Sequence, residues 1–170
     1  MTISPWFRVQ KSLEAGECDI ALLTGIDSSD PHIVSFEVCR GEILVYAKEG
    51  HAIHDVSEIT IETLAAYPLA TGTKEGYACR TVTDLARQKG YELSVLQKID
   101  LLEAIKAYAK RVGALGIFTD DGYKETRCSN TRPLISDTPP VSIQLASHKQ
   151  FLEKAPVSLA WRALQKSLKV

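Results

Sequence analysis

Long apolar runs, paired cysteines and a surplus of either charge are all missing from this chain. No stretch approaches the ~18–20 apolar residues of a membrane-spanning helix, and no basic-then-apolar leader opens the sequence. Neither insertion nor export is expected, and a cytoplasmic location follows. Twenty basic residues meet 21 acidic ones for a net charge of −1, so the basic footprint of a nucleic-acid binder is lacking. Cys18, Cys39, Cys79 and Cys128 contain no Cys-x-x-Cys pair and suit no disulfide framework. Cys18 and Cys39 sit in apolar runs and read as small buried hydrophobes.

Catalytic signatures are also thin. Gly72-Thr73-Lys74-Glu75-Gly76 lacks the spacing and the closing Lys-Ser/Thr of a nucleotide loop. No Gly-x-Ser-x-Gly elbow occurs. His51 and His54 are three apart but fall in a polar loop without a nearby acidic or cysteine partner, so no metal site is expected there. Asp120-Asp121-Gly122 offers two carboxylates for acid–base work, yet Asp-Asp-Gly is first a turn signal. Gly113-Ala114-Leu115-Gly116 reads as a helix stop followed by close packing, not a dinucleotide fingerprint. Trp6 and Trp161 read as packing residues. No enzyme, cofactor or metal is expected.

What the chain does contain is a soluble core: 45% of its 170 residues are apolar and 24% charged. Val9 and Leu13 mark a helix stopped by Gly16, followed by an apolar strand over residues 18–23. A polar turn spans residues 27–31, and strands are expected at 33–39 and 42–47. Thr60 is placed to cap a helix over residues 61–66 that Pro68 ends. Val82, Leu85 and Ala86 describe the next helix, closed by Lys89-Gly90. Residues 93–97 read as a strand. Asp100 reads as the N-cap of a helix carrying Leu101, Leu102, Ile105, Tyr108, Ala109 and Val112 at helical spacing. Strands follow at 114–119, at 134–135 and at 141–145. The double proline at 139–140 favours an extended crossing. Pro156 opens a last helix with Val157, Trp161, Leu164 and Leu168 along one side. Strands alternating with helices imply an α/β fold with a largely parallel sheet. Weak breaks at Cys39-Arg40 and Pro139-Pro140 bracket an inserted middle lobe.

The most informative stretch is Tyr67-Pro68-Leu69-Ala70-Thr71-Gly72-Thr73, with Arg80 seven residues on. A short apolar strand here opens through a Gly/Thr loop onto a helix, which is how an open α/β sheet offers N–H groups and hydroxyls to a small anion. Thr24 lies just beyond another apolar strand. Each threonine has a second reading, as a turn or cap residue.

These residues resemble the effector-binding domain of LysR-type transcriptional regulators. Leu13-Glu14-Ala15-Gly16-Glu17-Cys18-Asp19-Ile20-Ala21-Leu22 looks like that family's helix–glycine–strand step. Gly50-His51-Ala52, Leu64-Ala65-Ala66-Tyr67-Pro68-Leu69 and the strand ending at Phe118 match in order and spacing. Ser4-Pro5, residues 67–73, Arg80 and Ile105-Lys106-x-Tyr108 are similar to the cysteine-regulon branch, CysB and its relatives. The resemblance implies a type II periplasmic-binding-protein-like fold. Residues 1–39 and 141–170 would form a discontinuous lobe I and residues 40–140 lobe II, with the first strand and helix of the domain missing. It implies a cytoplasmic regulator that binds a small anionic metabolite of sulfur metabolism between its lobes: O-acetylserine, N-acetylserine or a sulfate-like anion. The implied effector-binding residues are Thr24, Thr71, Gly72, Thr73, Ala78 and Arg80. Ala78 (or Tyr77, with a one-residue gap) stands where the family has threonine. DNA would be reached only through a helix-turn-helix domain absent from this chain, and the uncovered sheet edge would drive self-association. The alternative, a solute-binding protein of a transporter with the same fold, calls for an export signal. An enzyme on a related two-lobed fold calls for a nucleophile or an acid–base pair.

Overall fold

The computed structural model describes residues 6–24, 30–120, 126–135 and 140–168, with only the backbone at 6 and 7. Ser4-Pro5, the ring of Trp6, most of the 27–31 turn, Asp121-Gly122 and most of the 136–140 crossing lie outside the described residues. Among the described residues, six α-helices run over Trp6–Glu14 (α1), Ile61–Ala65 (α2), Tyr77–Gln88 (α3), Leu102–Val112 (α4), Lys149–Leu152 (α5) and Ala155–Leu168 (α6). Eight strands cover Ile20–Thr24 (β1), Ile33–Gly41 (β2), Ile43–Tyr46 (β3), Leu69–Thr71 (β4), Val95–Lys98 (β5), Leu115–Thr119 (β6), Thr131–Pro133 (β7) and Val141–His148 (β8).

The chain divides into two compact units, one made of residues 1–40 and 142–170, the other of residues 41–141. The first holds a three-stranded sheet in the order β1-β8-β2, with β1 and β8 antiparallel. Leu13 of α1 is fully buried against Ala21, Leu23 and Ala146. Trp161 of α6 is buried too, edge-on to Phe36 at 5.4 Å between ring centroids.

The second unit holds a five-stranded sheet in the order β5-β4-β6-β3-β7. Only β5, β4 and β6 run parallel, while β3 pairs antiparallel with both β6 and β7. The sheets are therefore mixed, where strand–helix alternation alone suggested a largely parallel one. The difference arises because β3 and β7 enter the sheet without helical crossovers, which lets them run against their neighbours. Leu69, Leu115 and Ile117 pack with Ala78, Val82 and Ala86 of α3. Ala70 and Phe118 pack with Ile105 and Ala109 of α4. The period-2 alternation of β4 thus places α3 and α4 on opposite faces of one sheet.

Local chemistry accounts for several boundaries. Thr60 and Thr63 form a reciprocal cap at the start of α2, the Thr60 side chain accepting from the Thr63 N–H at 3.4 Å and the Thr63 hydroxyl accepting from the Thr60 N–H at 3.2 Å. Gly113 ends α4 at φ 71°, in the left-handed region open to glycine. A side chain at Gly116 would press on Ile105 Cγ2 at 3.2 Å, so that glycine lets α4 settle onto the sheet. Arg132 of β7 donates to the carbonyls of Ile53, Val56 and Ser57 at 3.0, 2.6 and 2.7 Å, fastening the 48–57 loop.

Some expectations need correction. The helix after β5 is capped by Leu101, whose side chain caps nothing, and not by Asp100. The late strand lies at Thr131–Pro133, and Leu134 makes only an isolated bridge to Ile59. Cys18 and Cys39 are half-buried, Cys79 is buried and Cys128 exposed, and none of the four forms a disulfide. Cys18 uses its thiol instead, donating to the Ile20 carbonyl at 3.1 Å.

Gly41 packs directly on Asp120, and a Cβ there would overlap the Asp120 carbonyl oxygen. Gly41→Ala is expected to lower stability by about 2–4 kcal/mol, read from urea unfolding. A loss under about 0.5 kcal/mol would show that this approach is looser than described.

Candidate functional site

Strand order places the site. From β4 the chain passes through α3 to β5 on one side, whereas the strand after β6 is β7, on the other side beyond β3. Neighbouring parallel strands whose connections diverge leave a crevice at their carboxyl ends, where open α/β sheets bind ligands. Thr71 closes β4 in register with Ile117, and β6 runs two residues further to Thr119 at this edge.

Thr71 is 1% exposed, and its hydroxyl is buried with no hydrogen-bond partner. Its carbonyl is engaged, accepting from the Ile99 N–H at 2.8 Å. Along β4, Thr71 shares a face with Leu69 and therefore with α3, not α4. The chain then turns over residues 73–76, closed by the Gly76 N–H donating to the Thr73 carbonyl at 2.8 Å. Gly76 is the N-cap of α3 and supplies no side-chain cap. A helix start leaves its first N–H groups without intrahelical acceptors and carries the positive end of the dipole. An orphaned hydroxyl and an uncapped twelve-residue helix therefore stand at the two ends of one five-residue loop.

The residues proposed from sequence fall as follows. Thr71, Gly72, Thr73, Ala78 and Arg80 lie on this single strand–loop–helix segment, with Thr73 half-buried, Ala78 buried and Arg80 exposed in the first turns of α3. Gly72 has open space where a Cβ would stand. Thr24 belongs to the other unit, half-buried at the end of β1.

Three features of the same edge escape a reading of the sequence. Thr119 ends β6 two residues beyond Ile117, the register partner of Thr71. Asp120 follows it, 4% exposed, and its carboxylate accepts from Arg127 Nε at 2.6 Å. Arg127 also donates to Glu42 at 2.8 Å. Asp120 first and Glu42 second hold the guanidinium pKa above its ordinary value, so Arg127 stays charged between the two carboxylates. The uncapped start of α4 at Leu101 is the third feature. Asp120 stood out in the sequence only as part of the Asp-Asp-Gly turn signal, and its pairing with Arg127 and Glu42 depends on which strands become neighbours.

The histidines of the 48–57 loop have structural work. His51 accepts from the Ile53 N–H through Nδ1 at 3.1 Å, and His54 Nε2 meets the Lys48 carbonyl at 3.1 Å. Burial, first among the causes, pushes the His51 pKa down, which favours the neutral ring that this cap requires. Among the described residues, no three His, Cys, Asp or Glu side chains gather as a metal site.

A family model described as "LysR substrate binding domain" matches residues 1–169. The HTH-type transcriptional regulator cbl of Escherichia coli (strain K12) is 25% identical over 119 residues, which are 69% of this chain and 37% of that protein. The chain thus spans little more than a third of that relative's length. The regulatory domain of Synechocystis PCC6803 CcmR, solved in complex with 2-PG, superposes with TM-score 0.81 at 15% identity, covering 99% of this chain and 82% of that one. The cofactor-binding domain of the Cbl transcriptional regulator superposes with TM-score 0.69 at 21% identity, covering 85% and 64%. At these identities the structural likeness speaks for the fold.

The orphaned hydroxyl makes a direct prediction. Thr71→Val removes it at constant shape, and because a buried unpaired hydroxyl costs about 1–3 kcal/mol, the variant should be more stable by about 1 kcal/mol in urea unfolding. Destabilisation of that size would show that the hydroxyl has a partner in solution.

Proposed function

Because the chain belongs to the LysR substrate-binding domain family, we propose that it is the ligand-sensing part of a LysR-type transcriptional regulator, and that it binds a small anionic metabolite at the carboxyl ends of β4 and β6. The observation that carries this reading is the buried, unpartnered Thr71 hydroxyl, one five-residue loop before α3, whose N-cap Gly76 supplies no side-chain bond. A hydroxyl donor, free N–H groups, a positive helix end and Arg80 together suit an oxyanion. The 2-PG complex of CcmR and the cofactor-binding description of the Cbl domain support a small-molecule role. The relatives are transcriptional regulators, which supports a sensor and not an enzyme. The resemblance of residues 67–73, Arg80 and Ile105-Lys106-x-Tyr108 to the cysteine-regulon branch favours a metabolite of sulfur metabolism such as O-acetylserine, N-acetylserine or a sulfate-like anion.

Among the described residues no helix is long and apolar enough to cross a membrane, and this reading places the protein in the cytoplasm. In it DNA is contacted only by a helix-turn-helix domain outside this chain, and copies of the chain self-associate. Residues 1–40 with 142–170 and residues 41–141 serve as its two lobes. The ligand biases regulation by binding one arrangement of the regulator better than another.

Thermal-shift screening with O-acetylserine, N-acetylserine, sulfate and thiosulfate at constant ionic strength tests this reading. At least one should raise the melting temperature of the wild type, and at saturation Thr71→Val and Gly72→Val should cut the shift by more than half. If none of the four acts, or if both variants respond like the wild type, this assignment is wrong.

A further inference from the structure

The edge strand β5 carries an irregularity beside Thr71. Leu69 pairs with Val95, but Ala70 pairs with Gln97 and Thr71 with Lys98, so the register slips by one residue between Leu69 and Ala70. Val95 and Lys98 are three apart and would face opposite sides of a regular strand. Here they share a side. Val95 packs on the core cluster that holds α3, and Lys98 borders a groove of about 340 Å³ together with Thr83, Ala86 and Arg87 of α3. Without the slip Gln97 would stand across from Thr71, and the lysine would point to the α4 side of the sheet. Bulges re-aim side chains, are rare between parallel strands and gather next to functional sites.

The residue brought round in this way is a cation. Thr71 faces α3 with its hydroxyl buried and unbonded. Lys98 rises from the adjacent strand on the same face, and neighbouring strands lie only about 5 Å apart. Arg80 precedes Thr83 by three residues and Arg87 by seven, so it lies on the stripe of α3 that borders the groove. Two cations, one from β5 and one from α3, thus stand on the side of the sheet that Thr71 faces. Arg87 is committed to Asp84 at 3.1 Å. Lys98 is exposed and forms no ion pair among the described residues, not even with Glu92, which borders the same groove.

We propose that Lys98 is a specificity-determining residue of the site at Thr71, and that it selects a doubly charged oxyanion over a singly charged one. This inference rests on the anion-site reading above, and it ranks a sulfate-like dianion ahead of the acetylated serines. The Thr71 hydroxyl and the first N–H groups of α3 are neutral donors that accept either kind of oxyanion. Coulomb attraction to a lysine grows in proportion to the ligand's charge, so Lys98 adds about twice as much for a dianion.

Sulfate and methanesulfonate present the same sulfonate oxygens and differ by one charge at neutral pH, which makes them suitable probes. Each is titrated at constant ionic strength while the amide NMR signals of residues 72–79 are followed. Lys98→Gln should weaken sulfate about tenfold and methanesulfonate only about threefold, as the doubled Coulomb contribution requires. Lys98→Arg should keep the preference of the wild type. Lys98→Gln combined with Gln97→Lys restores the net charge but places it on the Ala70 side of the strand, and it should bind like Lys98→Gln alone. Urea unfolding of all three variants should match the wild type, since Lys98 is exposed. If sulfate binds at residues 72–79 but Lys98→Gln weakens the two anions equally or not at all, the role of Lys98 is overturned and the anion site stands. Recovery of sulfate binding in the double variant overturns it too, because net charge alone would then suffice. If neither anion moves those amides at about 100 mM, where even millimolar affinity saturates, the anion site falls and this inference with it.

Discussion

Burying a hydroxyl without a partner costs about 1–3 kcal/mol, and the end of β4 carries that cost at Thr71. The surrounding fold does not relieve it. Leu69 and Ala70 place one residue on each face of the sheet, and the next position must again face α3. The Thr71 carbonyl accepts from the Ile99 N–H, and the hydroxyl has no bond of its own. The helix that follows starts at a glycine, which offers no side chain to bond the hydroxyl or to cap the free N–H groups. Unmet hydrogen-bonding capacity is thereby concentrated in one loop, in a molecule of ordinary composition and almost no net charge.

The framework that holds this loop is built for close approach. Gly116 admits α4 onto the face opposite α3, Gly113 turns the chain sharply into β6, and β6 delivers Thr119 and Asp120 to the same edge as Thr71. Asp120 would oppose an anion were it alone. Arg127 offsets part of that charge by binding Asp120 and Glu42 together, joining the end of β6 to the start of β3. The electrostatics of the edge therefore depend on a residue remote from it in sequence (Glu42) and on one seven positions downstream of Asp120.

Much of this was legible from the residues. The Thr60 cap, the glycine stop at 113, the strand before Gly72 and the packing role of Trp161 follow from local rules that operate over a few residues. Five of the six proposed site residues lie on one continuous segment because a strand, a loop and a helix start are themselves local. What was not legible depends on partners far apart in the chain. That β3 runs antiparallel to β6, or that β6 adjoins β4, is set by sheet assembly and leaves no mark on either strand. The shift of the α4 cap from Asp100 to Leu101 is of this kind as well. The Ile99 N–H extends the pairing with β4 by donating to Thr71, and the helix starts only after Leu101.

The claim at the centre is that Thr71 and the first N–H groups of α3 hold an oxyanion. The most direct measurement is a crystal grown or soaked with selenate and recorded at the selenium edge. An anomalous peak within about 4–5 Å of Thr71 Oγ1 and of the Tyr77 and Ala78 amide nitrogens, allowing for hydrogen-bonded oxygens, is the predicted result. Well-ordered density for the 72–79 segment, with selenate bound elsewhere and none at this loop, would contradict it.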